Sequence, residues 1–176
     1  MALLRWRKFM VGQGQARAGV IGLSDQQFIS AVGASPPGTV EAIIASAKLN
    51  ARWFYKNGMC ARMFAIGAFA ATANNKVLRL YLNSALAIGG DKFFDSGNLA
   101  TNNKDWWLDG LIVRNGLKQQ IGIASISIDG ASGVTNKKLN MTQDDTVDLF
   151  LILTALNVTA NTDSLTYLMN TYAETL

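Results

Sequence analysis

Two Asn-Asn-Lys triplets, at residues 74–76 and 102–104, each launch a run in which side chains alternate in character. After the first, Leu78, Leu80 and Leu82 fall on one side of an extended chain, and Val77, Arg79, Tyr81 and Asn83 on the other. After the second, Trp106, Leu108 and Ile112 share a face, opposite Asp105, Trp107 and Asp109. A period of two marks a strand with an inner and an outer side. A register slip of one residue would turn every core side chain outward, so such runs constrain the fold strongly. Asn115-Gly116 is the clearest hairpin signal in the chain. It leads into a strand from Gln119 to Ile128, where Ile126 and Ile128 share a face with Gly122 and Ala124.

The remaining segments fit the same pattern. Val40 to Leu49 is apolar and Ala-rich; a short helix is conceivable, but its length and the β-rich sequel favour a strand. Residues 50–58 read as a loop closing on the tight-turn pair Asn57-Gly58. Met59 to Phe69 is almost entirely apolar and is expected to be a strand buried on both faces. Residues 84–101 read as a long loop, with Phe93 and Phe94 plugging the end of the core. Asp129 to Gly133 is a turn, followed by a short strand around Lys137–Met141. Asp145 to Leu156 alternates through Val147, Leu149, Leu151 and Leu153, and the last strand is Leu165 to Tyr172. About eight short strands between Asn, Gly and Asp turns predict an all-β, antiparallel jelly-roll sandwich over residues 39–176. Ser35-Pro36-Pro37-Gly38 breaks the chain ahead of it, leaving residues 1–38 as an extended basic N-terminal arm and linker.

Composition adds a demand for burial. Of 176 residues, 49% are hydrophobic and 16% charged, against about 25% charged in a typical soluble domain. Mean hydropathy is +0.16. No apolar run approaches the roughly 20 residues of a membrane helix, so the apolar surface is expected in a core and a subunit interface, with no membrane partner. Arg5, Arg7, Lys8 and Arg17 all precede the first acid, Asp25, and account for the net charge of +4. The arm is Gly-rich yet carries Trp6 and Phe9, aromatics that normally anchor onto something. The expected partner-binding set is therefore Arg5, Trp6, Arg7, Lys8, Phe9 and Arg17, directed at an acidic surface. Nucleic acid is not the expected partner, because no nucleic-acid motif follows this short patch. The start MALLRWRKF lacks the form of a secretory signal.

Little in the chain points to catalysis. There is no histidine, which removes the usual general base and the commonest zinc ligand. The one cysteine, Cys60, lies in an apolar run and reads as a small buried hydrophobe. Asp144, Asp145 and Asp148 lack the spacing and glycine of a calcium loop. Asp105 and Asp109 flank Trp107 on one strand face and read as a solvated surface rather than a hydrolytic pair. Trp53-Phe54-Tyr55 in a loop suggests core-edge or subunit contacts ahead of a sugar-stacking platform. No catalytic residue, metal or cofactor is expected.

Five features combine: the loop ending Asn57-Gly58, the strand Met59–Gly67, ANNKVLRLYLN from Ala73, NNKDWWLDGLIVRNG from Asn102 with Gln119-Gln120 behind it, and Asn161-Thr162-Asp163 before the last strand. Together they resemble a domain of small structural proteins of tailed bacteriophages, whose jelly roll is similar to tumour-necrosis-factor-like trimers. The resemblance spans residues 40–174 and leaves residues 1–39 uncovered. It implies a virion component without catalysis. The Met59–Phe69 strand carries less charge than is usual in that family, which implies additional burial against a partner. Two roles follow. One is a capsid decoration (cement) protein, a homotrimer on the capsid exterior that grips the major capsid protein with its arm. The other is a tail-tip or fibre module that binds a host receptor or glycan. The basic, aromatic arm favours the first. A carbohydrate-active enzyme is disfavoured by the missing histidines and unpaired carboxylates.

Overall fold

The computed structural model describes residues 27–29, 33–34, 39–51, 54–70, 74–158 and 166–175. Eleven strands are present among them: β1 Gln27–Ile29, β2 Gly33–Ala34, β3 Ala42–Leu49, β4 Cys60–Phe69, β5 Lys76–Asn83, β6 Asp91–Asp95, β7 Asp105–Gly116, β8 Gln119–Ile128, β9 Ala131–Met141, β10 Leu149–Asn157 and β11 Thr166–Thr175. They form two sheets. The larger runs β1-β11-β4-β7-β8-β9, with β2 also paired to β11, and the smaller runs β3-β10-β5-β6. Each strand pair is antiparallel. The chain switches sheet between β2 and β3, β3 and β4, β4 and β5, β6 and β7, β9 and β10, and β10 and β11. This is the all-β jelly-roll-like sandwich expected from the alternating runs.

The inner faces make one core. Leu78, Leu80 and Leu82 of β5 and Leu149, Leu151 and Leu153 of β10 are buried beside Met63, Phe69, Trp106, Leu108, Ile112 and Ile126 of the larger sheet. The sheets approach too closely for a side chain at Gly110, where an added Cβ would lie 2.4 Å from Leu80 Cδ1. Gly122 is similar, with Phe93 Cβ and Met141 Sδ at 2.7 and 2.8 Å.

The two Asn-Asn-Lys turns behave oppositely. Lys76 is buried, and its Nζ donates to the carbonyls of Asn74 and Thr101 at 3.0 and 2.9 Å. Burial pushes this ammonium below the ordinary lysine range. Lys104, by contrast, is exposed and pairs with Asp129.

Four expectations need correction. The strand from Met59 to Phe69 is not buried on both faces: Ala61, Met63, Ala65 and Phe69 are inside, whereas Ile66 is 38% exposed. Residues 84–101 are not a loop throughout, because β6 lies within them. Its register jumps between Leu80↔Phe94 and Tyr81↔Lys92, and this bulge lets the consecutive Phe93 and Phe94 both enter the core. The hairpin after β7 turns at Leu117-Lys118, with Lys118 at φ 54, while Gly116 pairs with Gln119. β9 starts directly after Asp129-Gly130, whose φ values of 48 and 79 suit a type I′ turn, so the expected five-residue turn and short strand are one long strand.

Candidate functional site

The six expected arm residues, Arg5, Trp6, Arg7, Lys8, Phe9 and Arg17, lie outside the described residues, as does Trp53. Of the other candidates, Phe54 is a core residue and Tyr55 is exposed with Lys56 Nζ 5.3 Å from its ring centre, so the two face different surroundings. Asp144, Asp145 and Asp148 pair with Lys118, Arg114 and Lys48 respectively, and so point to three different cations.

The outward face of the larger sheet holds the most developed site. Strand alternation turns Phe64 and Ile66 of β4 and Asp105, Trp107 and Asp109 of β7 outward, and the ladder sets Ile66 opposite Trp107 and Phe64 opposite Asp109. With Arg62, Trp106, Asp129 and Gly130 they line a groove of about 430 Å³. The Phe64 and Trp107 ring centres are 5.9 Å apart with planes tilted by 30°, and Trp107 is 39% exposed. Arg62 Nε and Nη2 donate to the two Asp109 carboxylate oxygens at 2.8 and 2.7 Å, a two-pronged pair that holds the carboxylate in one orientation. At the far rim, Asp129 accepts from Lys104 Nζ and from the Asp105 backbone N–H. The Lys104 hydrogen bond holds the Asp129 carboxyl below the usual carboxylate range. The groove thus carries three carboxylates, of which Arg62 pairs with Asp109 and Lys104 with Asp129. The reading of Asp105 and Asp109 as a simple solvated surface therefore needs revision, because Asp109 is fixed by Arg62.

Further along the same face the character changes. Leu111 and Val113 of β7 stand opposite Ile123 and Ile121 of β8, and all four are at least partly exposed. On the inner side of this end lies a charged cluster. Arg114 Nε donates to Asp145 Oδ2 at 2.5 Å and Arg114 Nη1 to Asn57 Oδ1 at 2.6 Å, and the Asp145 side chain is fully buried. Gln120 and Gln143 close the same end through two hydrogen bonds.

A third polar cluster sits on the outward side of the smaller sheet. Glu41 accepts from Arg79 Nη1 at 2.6 Å, from Tyr81 Oη at 2.9 Å and from Thr154 Oγ1. Burial, then the neighbouring Glu41 carboxylate, pushes the Tyr81 hydroxyl up to about 12.

Neither a family model nor a curated protein matches the chain. Among solved structures, the marine PL-14 alginate lyase from Aplysia kurodai is 10% identical over 66% of this chain and 69% of its own, with a TM-score of 0.41. The infectious bursal disease virus Gx strain structure is 9% identical over 89% of this chain, with a TM-score of 0.39; the match spans 32% of that chain. A Lotus tetragonolobus seed lectin is 8% identical over 87% of this chain and 93% of its own, with a TM-score of 0.44. Similarity at this level assigns no activity, ligand or partner.

Proposed function

We propose that the chain is a structural protein of a tailed-bacteriophage virion, a capsid decoration protein that reinforces the shell as a homotrimer. The observation that carries this reading is the patch of Leu111, Val113, Ile121 and Ile123 at the hairpin end of the larger sheet. Hydrocarbon outside a buried Arg114–Asp145 pair reverses the usual distribution of polarity, and a subunit contact is its simplest use. The arm supplies the grip on the shell. Its positive charges at Arg5, Arg7, Lys8 and Arg17 suit an acidic partner such as the major capsid protein, with Trp6 and Phe9 as anchors. Deletion of residues 1–17 is expected to remove most of the protein from purified particles; undiminished occupancy would rule out the arm as the grip. Labelled protein viewed on particles by electron microscopy tests the location. The groove around Trp107 favours a second reading, a tail-tip or fibre module that recognises a receptor, and label on tails rather than heads would select it.

A further inference from the structure

We propose that the groove around Trp107 binds a neutral or amino sugar, one or two rings long. This goes beyond the decoration reading and does not depend on it, since a sugar site can serve a protein on either the head or the tail. Four features lead to this ligand class.

The first is shape. A groove of about 430 Å³ falls at the lower end of small-ligand sites, about 300–1,000 Å³, and suits one or two pyranose rings better than a polymer segment or a protein helix. The second is the floor. A sugar ring has an apolar C–H face and a hydroxyl rim. Trp107 offers the exposed aromatic surface on which such a face loses water, and Phe64 extends it.

The third is the rim. Sugar hydroxyls need fixed acceptors, and the groove supplies carboxylates held ready. Asp109 is oriented by Arg62, and Asp129 by Lys104 and the Asp105 backbone. Asp105 is exposed, and its carboxylate makes no ion pair or hydrogen bond among the described residues. Acceptors already in position cost little ordering on binding. Arg62, Asp105, Trp107 and Asp109 also stand on strands interior to the sheet, β4 between β11 and β7, and β7 between β4 and β8, which keeps their spacing fixed.

The fourth is charge. Three carboxylates against two cations, Arg62 on Asp109 and Lys104 on Asp129, leave the groove net negative with Asp105 as the surplus charge, which opposes uronic acids, sialic acids and phosphorylated sugars. They accept neutral rings and favour an ammonium, which would also gain from the Trp107 ring face. The same carboxylates argue against this half of the face as the trimer contact, where copies of Asp105, Asp109 and Asp129 would be brought together.

The test uses the full-length chain. Tryptophan fluorescence and calorimetry are recorded against glucose, galactose, mannose, N-acetylglucosamine, glucosamine, their β-linked disaccharides, galacturonic acid and a peptide of residues 1–17. At least one neutral or amino sugar is expected to bind with an affinity of about 1 mM or tighter, and galacturonic acid is expected not to bind. Trp107→Ala should weaken that binding about tenfold or more, the usual cost of losing an aromatic anchor. Asp105→Asn is the second variant, because the fold does not rely on that carboxylate; it should lower affinity about threefold, since the amide keeps one acceptor oxygen and loses only the charge. Absence of binding across the neutral and amino sugars overturns the proposal. So does binding that both variants leave unchanged, equal binding of galacturonic acid, or a response to the peptide alone, which would give the groove to the chain's own arm.

Discussion

The outward face of the larger sheet divides into two halves built on the same two strands. At one end, β7 and β8 present Asp105, Trp107 and Asp109 beside Ser125, with Arg62 and Ile66 from β4. At the other they present Leu111 and Val113 beside Ile123 and Ile121. The layer beneath changes in the opposite sense. Under the groove lie Trp106 and Phe69, with ring centres 6.1 Å apart. Under the apolar patch lie Arg114, Gln120 and Asp145, all buried. Where charge is outside, the interior is aromatic; where hydrocarbon is outside, a buried ion pair closes an interior that still holds Ile112 and Met141. Alternation along a strand does not by itself decide which row meets water. That depends on what the rest of the chain brings to each side, and the hairpin end is organised as if its outer side is to be covered.

The sharpest way to break this comparison is at the buried pair. Asp145→Ala leaves Arg114 enclosed without its carboxylate and is expected to cost about 3–5 kcal/mol in urea unfolding. A loss below about 1 kcal/mol, typical of an exposed pair, would mean that the buried pair is not what holds the hairpin end. Next comes the patch itself. Leu111→Asp combined with Ile123→Asp should convert the proposed trimer to monomer in light scattering, with little change in thermal midpoint, since neither side chain is fully buried. A trimer that survives both charges would move the contact elsewhere. Trp107→Ala should leave the oligomer intact and remove the sugar response, so each half of the face fails without the other.

The smallest effect separates the exposed ion pairs at the two ends. Hydrogen bonding from Lys118 holds Asp144 at about 2, and Lys104 lowers Asp129. Both carboxyls have folded values below their unfolded ones. Their contribution is therefore present above the ordinary carboxylate range and is lost as pH falls through the lowered values. Carbon-detected titration should find Asp144 among the last carboxyls to protonate. Lys104→Ala should move the Asp129 midpoint up towards the ordinary range while leaving Asp144 in place; an unmoved Asp129 would discount the pairing.

Much of the fold was legible because strands of this kind announce themselves locally. The alternation from Leu78 to Leu82 and from Trp106 to Ile112 identified β5 and β7 and assigned their inner faces. β6 was not legible: its bulge places Phe93 and Phe94 in the core together, and two adjacent buried residues erase the period-2 signal. The apolar run of β4 misled in the other direction, since its outer row shares the hydrophobic character of its inner row. The groove could be read only in part. Asp105-Trp107-Asp109 was visible as one strand face, but Arg62 lies 47 residues before Asp109 and meets it through β4–β7 pairing.

The twin Asn-Asn-Lys turns show where the division falls. From sequence alone, both are turns that launch strands, because backbone preference and alternation are settled among adjacent residues. Composition alone also required the chain to hide more apolar surface than its charge could cover. Only the tertiary structure decided that Lys76 is buried against two carbonyls whereas Lys104 reaches Asp129 at the rim of a groove. The environment of a charged side chain is set by strands that arrive from far along the chain, and the cost of burying or pairing it is a property of that meeting.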